Sequence, residues 1–352
     1  MLVRMSRLRA ALVRAFVLSA PLTFLGASCG PTALGIMPGV INDPHNLSLR
    51  RAILAYGRGR ACAEVQGRSL AIRPRDDLPT VGRFLPLSCT SRDQPDGDLY
   101  LQLGGRGYVW TSMSQRVGFE AWTGMAYDTD FQLDGTTMYV YFRPRATAGS
   151  GFTTMVVENA QAAFFGGMAR APNGQKLTDA FGGQMLQSQI ARGFTVIRAA
   201  NGSLEFGLGL IPPGAHPMTG LALADRDKVV LVNDRSELRS GQRDYVPIEV
   251  PEGKQINVHV GVQGAAAIDV LVLPRAPGEA WLTAYATQAV TTPPPAAPLL
   301  DEPVSAGVVW KRTLAVPAGQ HYLVLDNTTT AGRSAPPAGD PPVVVSYAVE
   351  LD

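Results

Sequence analysis

The sequence predicts a mainly β protein: an N-terminal α+β domain with an antiparallel sheet and two helices, followed by a C-terminal β-sandwich. Three observations predict it. Leu99-x-Leu101-x-Leu103, Val117-x-Phe119-x-Ala121 and Met138-x-Val140-x-Phe142 alternate with period two, so each segment has one apolar and one polar face. Two flanking segments instead space their apolar residues as a helix does. After Ile211-Pro212-Pro213-Gly214 helical spacing gives way to short strands and turn residues, which sets a domain boundary near residue 215.

Taken in order, residues 1–28 read as a signal peptide: Arg4, Arg7, Arg9 and Arg14 precede an uncharged apolar run from Ala15 to Leu25. The run is too short to cross a bilayer, which needs about 20 residues. Leu25-Gly26-Ala27-Ser28-Cys29-Gly30 resembles the lipobox of bacterial lipoproteins, although Gly26 stands where that family usually has leucine. The resemblance implies diacylglycerol on the Cys29 sulfur, an N-terminal lipid anchor in the cell envelope, and, because Gly30 is not aspartate, the outer membrane rather than the inner. Ordinary cleavage after Ala27 or Ser28, releasing a soluble secreted or periplasmic protein with a free Cys29, is the alternative. Residues 29–40 are rich in glycine and proline and suit a tether.

The α+β domain spans residues 41–214. Asp43 and Pro44 introduce Leu49, Ala52, Ile53 and Tyr56 at helical spacing, predicting a helix over 44–57 that Gly57 and Gly59 end. The three alternating segments follow, with Asp134-Gly135 as a hairpin turn between the second and third strands. A further β-rich stretch runs from Phe152 to Phe165. Leu177, Phe181, Met185 and Ile190 predict a second helix over 175–191, and Asn201-Gly202 sits between strands at Phe194–Arg198 and Leu204–Leu210.

The sandwich spans residues 215–352. Val250-Pro251-Glu252-Gly253 and Val316-Pro317-Ala318-Gly319 repeat one pattern, read as strand, tight turn and returning strand. With Ile268-x-Val270-x-Val272 and Val343–Leu351, the segment resembles the Greek-key β-sandwich modules of secreted bacterial proteins, of the pre-peptidase C-terminal type.

Composition excludes several function classes. A 352-residue chain that is 46% hydrophobic is folded. Loss of residues 1–28 removes four of the 31 basic residues and none of the 29 acidic ones, leaving a net charge of −2 and no field for nucleic acid. In an oxidising compartment Cys62 and Cys89 are expected to pair, two separate buried thiols being the alternative.

Catalytic signals are sparse. His45, His216, His259 and His321 are scattered, and no zinc-protease, nucleophile-elbow, phosphate-loop or paired-cysteine motif is present. Asp128-x-Asp130-x-Gln132-Leu133-Asp134 fails as a calcium loop, because Leu133 replaces the turn glycine and Tyr139 the bidentate glutamate. No metal, cofactor or catalytic residue is assigned. Glu120, Asp128, Asp130 and Glu158 are the carboxylates from which a hydrolase would draw its acid and base.

Tyr108, Trp110, Phe119, Trp122, Tyr139 and Tyr141 are the candidates for an apolar groove that holds a lipid or glycan, the alternative being an ordinary core. Helix, long strands and helix on an exported chain is loosely similar to single-unit bacterial lipid-binding proteins of the TULIP type. The expectation is therefore a non-catalytic envelope lipoprotein with a binding or structural role and a protein or lipid partner. An apolar-ligand carrier is the alternative, and an extracytoplasmic hydrolase the weaker one.

Overall fold

The computed structural model describes residues 38–75, 77–111, 115–158, 188, 191–217, 219–223, 228–334 and 342–352. The expected signal peptide, Cys29, most of the expected tether, nearly all of the helix expected over 175–191 and the end of the stretch from Phe152 to Phe165 lie outside the described residues. Among the described residues the chain is mainly β.

A one-turn helix α1 (Pro38–Ile41) and a long helix α2 (Leu47–Gln66) lead into β1 (Leu70–Ile72), β2 (Gly82–Asp93), β3 (Leu99–Thr111), β4 (Gln115–Asp134), β5 (Thr137–Val157), β6 (Phe194–Arg198) and β7 (Leu204–Leu208). These strands form one antiparallel sheet in sequence order, curled into a half-barrel. Slips in the β4–β5 register after Gly118, Gly124 and Ala126 supply local twist, which helps strands this long curl. Gly135 (φ 57°) and Gly202 (φ 91°) take the left-handed conformation in the two turns that the sequence marks.

Alternation sends Leu99, Leu101, Leu103, Phe119, Ala121 and Met125 to the face where Ala61 and Val65 of α2 also pack. A disulfide between Cys62 and Cys89, with Cα atoms 5.4 Å apart, ties α2 to β2. Closing that loop stabilises the fold by about 3.5 kcal/mol in the chain-entropy picture. The helix corrects the expected 44–57 span: it begins at Leu47 and runs through Gly57 and Gly59. Nothing lies within 4 Å of a Cβ placed on either glycine, so both face open space. Each costs the helix about 1 kcal/mol, a loss offset by the buried and disulfide-bonded turn that follows.

The remainder comprises β8 (Val230–Leu238), β9 (Gln242–Val250), β10 (Gln255–Gln263), β11 (Ala267–Pro274), α3 (Arg275–Thr287), β12 (Leu300–Ser305), β13 (Trp310–Ala315), β14 (Gly319–Asn327) and β15 (Val343–Leu351). Two four-stranded antiparallel sheets result, ordered β13-β10-β15-β8 and β12-β11-β14-β9. Ile256, Val258, Val345 and Tyr347 of the first share one core with Ile248, Val270, Leu323 and Leu325 of the second.

The two valine-proline repeats are not hairpins within a sheet. Each carries the chain from one sheet to the other, β9 to β10 and β13 to β14. The corners lie side by side, since Gly319 pairs with Val250 and Gln255 with Ala315. Proline lacks the N–H that a continuing strand needs, and Gly253 (φ 73°) reverses the chain.

Helix α3 was not expected. Trp281, Leu282, Tyr285 and Ala286 are its buried stripe, and its first turn contains Pro277 and Gly278, residue types that more often mark turns. Gly278 is required there, because a Cβ would strike the ring of Tyr322. The helix packs on β11 and β14 and also against β3, β4 and β5.

Leu85, Tyr108 and Trp110 of the long sheet belong to the same core as the two smaller sheets. Arg83 and Tyr108, paired across β2 and β3, enter that core with their polar ends. Arg83 is 2% exposed, and its Nε donates to Asp244 Oδ1 at 2.7 Å. Its Nη2 donates to Asp244 Oδ2 (2.9 Å), to Asp234 Oδ2 (3.2 Å) and to the Tyr347 hydroxyl. Tyr108 donates to Asp244 Oδ1 at 2.6 Å and accepts the Tyr245 N–H at 2.7 Å. Burial alone would raise Asp234, yet Arg73 and Arg83 hold its carboxyl below the usual range.

Candidate functional site

The six aromatic residues picked out in the sequence do not line one groove. Tyr108 and Trp110 pack with Tyr285 where the long sheet meets the smaller ones, and Trp110 Nε1 donates to the Tyr285 hydroxyl at 3.1 Å. Phe119 stacks on Phe84 and Phe152 on the α2 side of the long sheet. Tyr139 and Tyr141 join Ile197 in a small separate cluster, where the Tyr139 hydroxyl accepts the Gly214 N–H at 3.0 Å. Trp122 is 46% exposed. A pocket on the α2 side, lined by Leu101, Met125, Tyr127 and Phe194 among others, has a volume of about 20 Å³. That is about one water's worth of space, and none of the six lines it.

The four carboxylates are each engaged by arginine, and Asp128 and Asp130 share one face of β4. Glu120 pairs with Arg106 at 2.6 Å, Asp128 with Arg145 at 3.2 Å and Glu158 with Arg116 at 3.7 Å. Asp130 meets Arg50 at 2.5 Å and Arg143 at 3.4 Å. Burial would raise Asp130, but the Phe131 N–H and Arg50 hold it below the usual carboxylate range. A lowered carboxyl is ionised at neutral pH and has no proton to give a leaving group.

A concave feature of another kind lies on the outer face of the β13-β10-β15-β8 sheet. Ile256, Val258 and Val260 of β10 point into the core. The alternate residues Asn257 and His259 therefore point outward. They floor a groove of about 470 Å³ together with Glu350 and Thr313. Leu221, Leu223 and Val309 form apolar walls, and Lys228, Lys311 and Arg312 the rim. Lys228 pairs with Asp352 at 2.8 Å and Arg312 with Glu302 at 2.9 Å.

At the floor, His259 Nε2 lies 3.0 Å from Glu350 Oε2. Burial lowers the imidazole pKa, with Lys311 and Lys228 acting in the same direction and Glu350 opposing them. At neutral pH the ring is neutral. Glu350 is 4% exposed, and its Oε1 has no hydrogen-bond partner. Thr313 Oγ1 donates to Asn257 Oδ1 at 2.6 Å. The groove thus combines apolar walls and a basic rim with a polar floor, in which Glu350 Oε1 and His259 Nε2 are themselves closed off from solvent.

The sequence shows His259 only as one of four scattered histidines. The alternation of Asn257 and His259 with valines was legible, but the cross-sheet neighbour Glu350 depends on the pairing of β10 with β15.

No protein-family model matches this chain, and no curated protein matches it. Among solved structures the chain is similar to the crystal structure of tripeptidyl peptidase 2 (TPP II), with a TM-score of 0.22 and 9% identity. The match covers 72% of this chain and 18% of that one, so the chain spans less than a fifth of that protein. At that level the likeness carries no argument about activity.

Proposed function

We propose that this protein is exported to the bacterial cell envelope, held to a membrane by lipid on Cys29, and acts there as a binding or structural protein rather than as an enzyme. The two smaller sheets form its interaction module, a β-sandwich, and the groove over His259 and Glu350 receives the partner. The observation that carries this reading is the groove itself: apolar walls and a basic rim around a polar floor, on a sheet whose core lies on its other face. The Cys62–Cys89 disulfide accords with an oxidising compartment. Among the described residues, the α2-side pocket of about 20 Å³ gives no support to carriage of a lipid at that place.

A photo-crosslinking residue placed at Lys311, on the groove rim, tests this in intact cells of the native host. The expected result is one discrete adduct that is absent when the same residue replaces Val290, which is 75% exposed beside the other sheet. No adduct at Lys311, or the same adduct from both positions, would count against the groove.

A further inference from the structure

One aromatic side chain is displayed on the long sheet in a way that the core does not require. Ser88, Gly104, Trp122 and Gly151 form a row across β2, β3, β4 and β5. Their neighbours Leu103 and Ala121 are buried on the α2 side, so the row faces the opposite way. Trp122 lies flat along β5. A Cβ built on Gly151 would fall against the pyrrole edge of the indole, 2.8 Å from Cδ1, and one on Gly149 would lie 3.0 Å from Cη2 at its far end. The two glycines make a floor on which the whole ring rests, and 46% exposure fits one covered face and one open face. Of the aromatic side chains whose burial is described, Trp122 alone is exposed.

Hydrogen-bonding groups surround the open face. Glu120 and Arg106, paired at 2.6 Å, are 41% and 33% exposed and share the face of Trp122 one register step away. Gln102 lies one step to the other side, opposite Gly124. A flat π-face carries partial negative charge and attracts weakly positive C–H groups, while polar side chains around it reach partners in the plane of whatever rests on it. A pyranose with equatorial hydroxyls has that shape: axial C–H bonds make a flat apolar face, and its hydroxyls project from the rim. A protein partner would gain more from contiguous apolar area than from an Arg–Glu pair set beside one ring.

We propose that Trp122 is a stacking platform for a β-linked, gluco-configured glycan, oriented by Glu120, Arg106 and Gln102. The site lies on a different sheet from the His259 groove and does not depend on it.

The test is an NMR titration of the indole N–H signals of the full chain with chitotetraose and with cellotetraose. The chain has four tryptophans, and Trp122→Phe assigns the signal in question. The expected result is a saturable shift confined to the Trp122 indole by at least one sugar. Trp122→Ala, followed through the backbone amides of Gly149 and Gly151, should weaken binding about tenfold with an unchanged melting temperature, and Trp122→Tyr should restore part of it. Glu120→Gln should weaken binding while leaving the indole exposed. The proposal is overturned if neither sugar shifts the Trp122 signal, if Trp122→Ala leaves the titration unchanged, or if phosphatidylglycerol vesicles shift that signal and the sugars do not.

Discussion

Arg83 shows how much a single buried side chain can hold. Its guanidinium meets two aspartates and a tyrosine contributed by β8, β9 and β15, so its removal strands Asp234 and Asp244 beside each other without that cation. Arg83→Met is expected to cost about 3–5 kcal/mol in urea unfolding. Two aspartates give pH dependence of opposite sign. Asp234 is held below its usual value in the folded state, so its contribution is present at neutral pH and is lost as pH falls below about 4. Asp326 is pushed up to about 6 by burial, against the pull of Arg243 at 3.2 Å and with Asp269 adding to the rise. The folded state therefore retains a proton there that the unfolded chain releases near 3.8, and stability falls as pH rises through 6. Melting temperatures at pH 5 and pH 7 should differ less in Asp326→Asn than in the native chain.

Glycine acts differently in two elements. Gly57 on α2 faces open space, and Gly57→Ala should stabilise the protein by about 1 kcal/mol. Gly118 on β4 lies under α3, where a Cβ would strike the Ala286 carbonyl, and Gly118→Ala should cost about 1–3 kcal/mol. Differential scanning calorimetry of the two variants should move in opposite directions. The same contrast explains what was legible in the sequence. β3, β4 and β5 and their turns were readable because alternation and Asp134-Gly135 are local signals. The end of α2 was not, because a penalty of about 1 kcal/mol per glycine is smaller than the gain from packing Ala61 and Val65. The valine-proline corners were found as turns, but which sheet a strand rejoins is a non-local fact. Trp122 was grouped with five core aromatics, and only strand pairing shows that it rests on Gly149 and Gly151. The spacing of those two glycines was the one available hint.

At the scale of the molecule, the long sheet and the two smaller sheets share one core cluster. Besides the Arg83 network, Thr80 pairs with the exposed edge of β8: its N–H donates to the Arg235 carbonyl at 2.8 Å, and its carbonyl accepts the Glu237 N–H at 2.9 Å. A sheet edge that would otherwise invite another chain is thereby capped. The His259 groove and the Trp122 platform lie on different sheets, which accords with the proposed role of holding partners in place at a surface. That role depends on the address. Radiolabelled palmitate supplied to the native host tests it most directly: the account predicts label and membrane association for the native chain and neither for Cys29→Ala. Recovery of an unlabelled native chain that still begins at Met1 would contradict it.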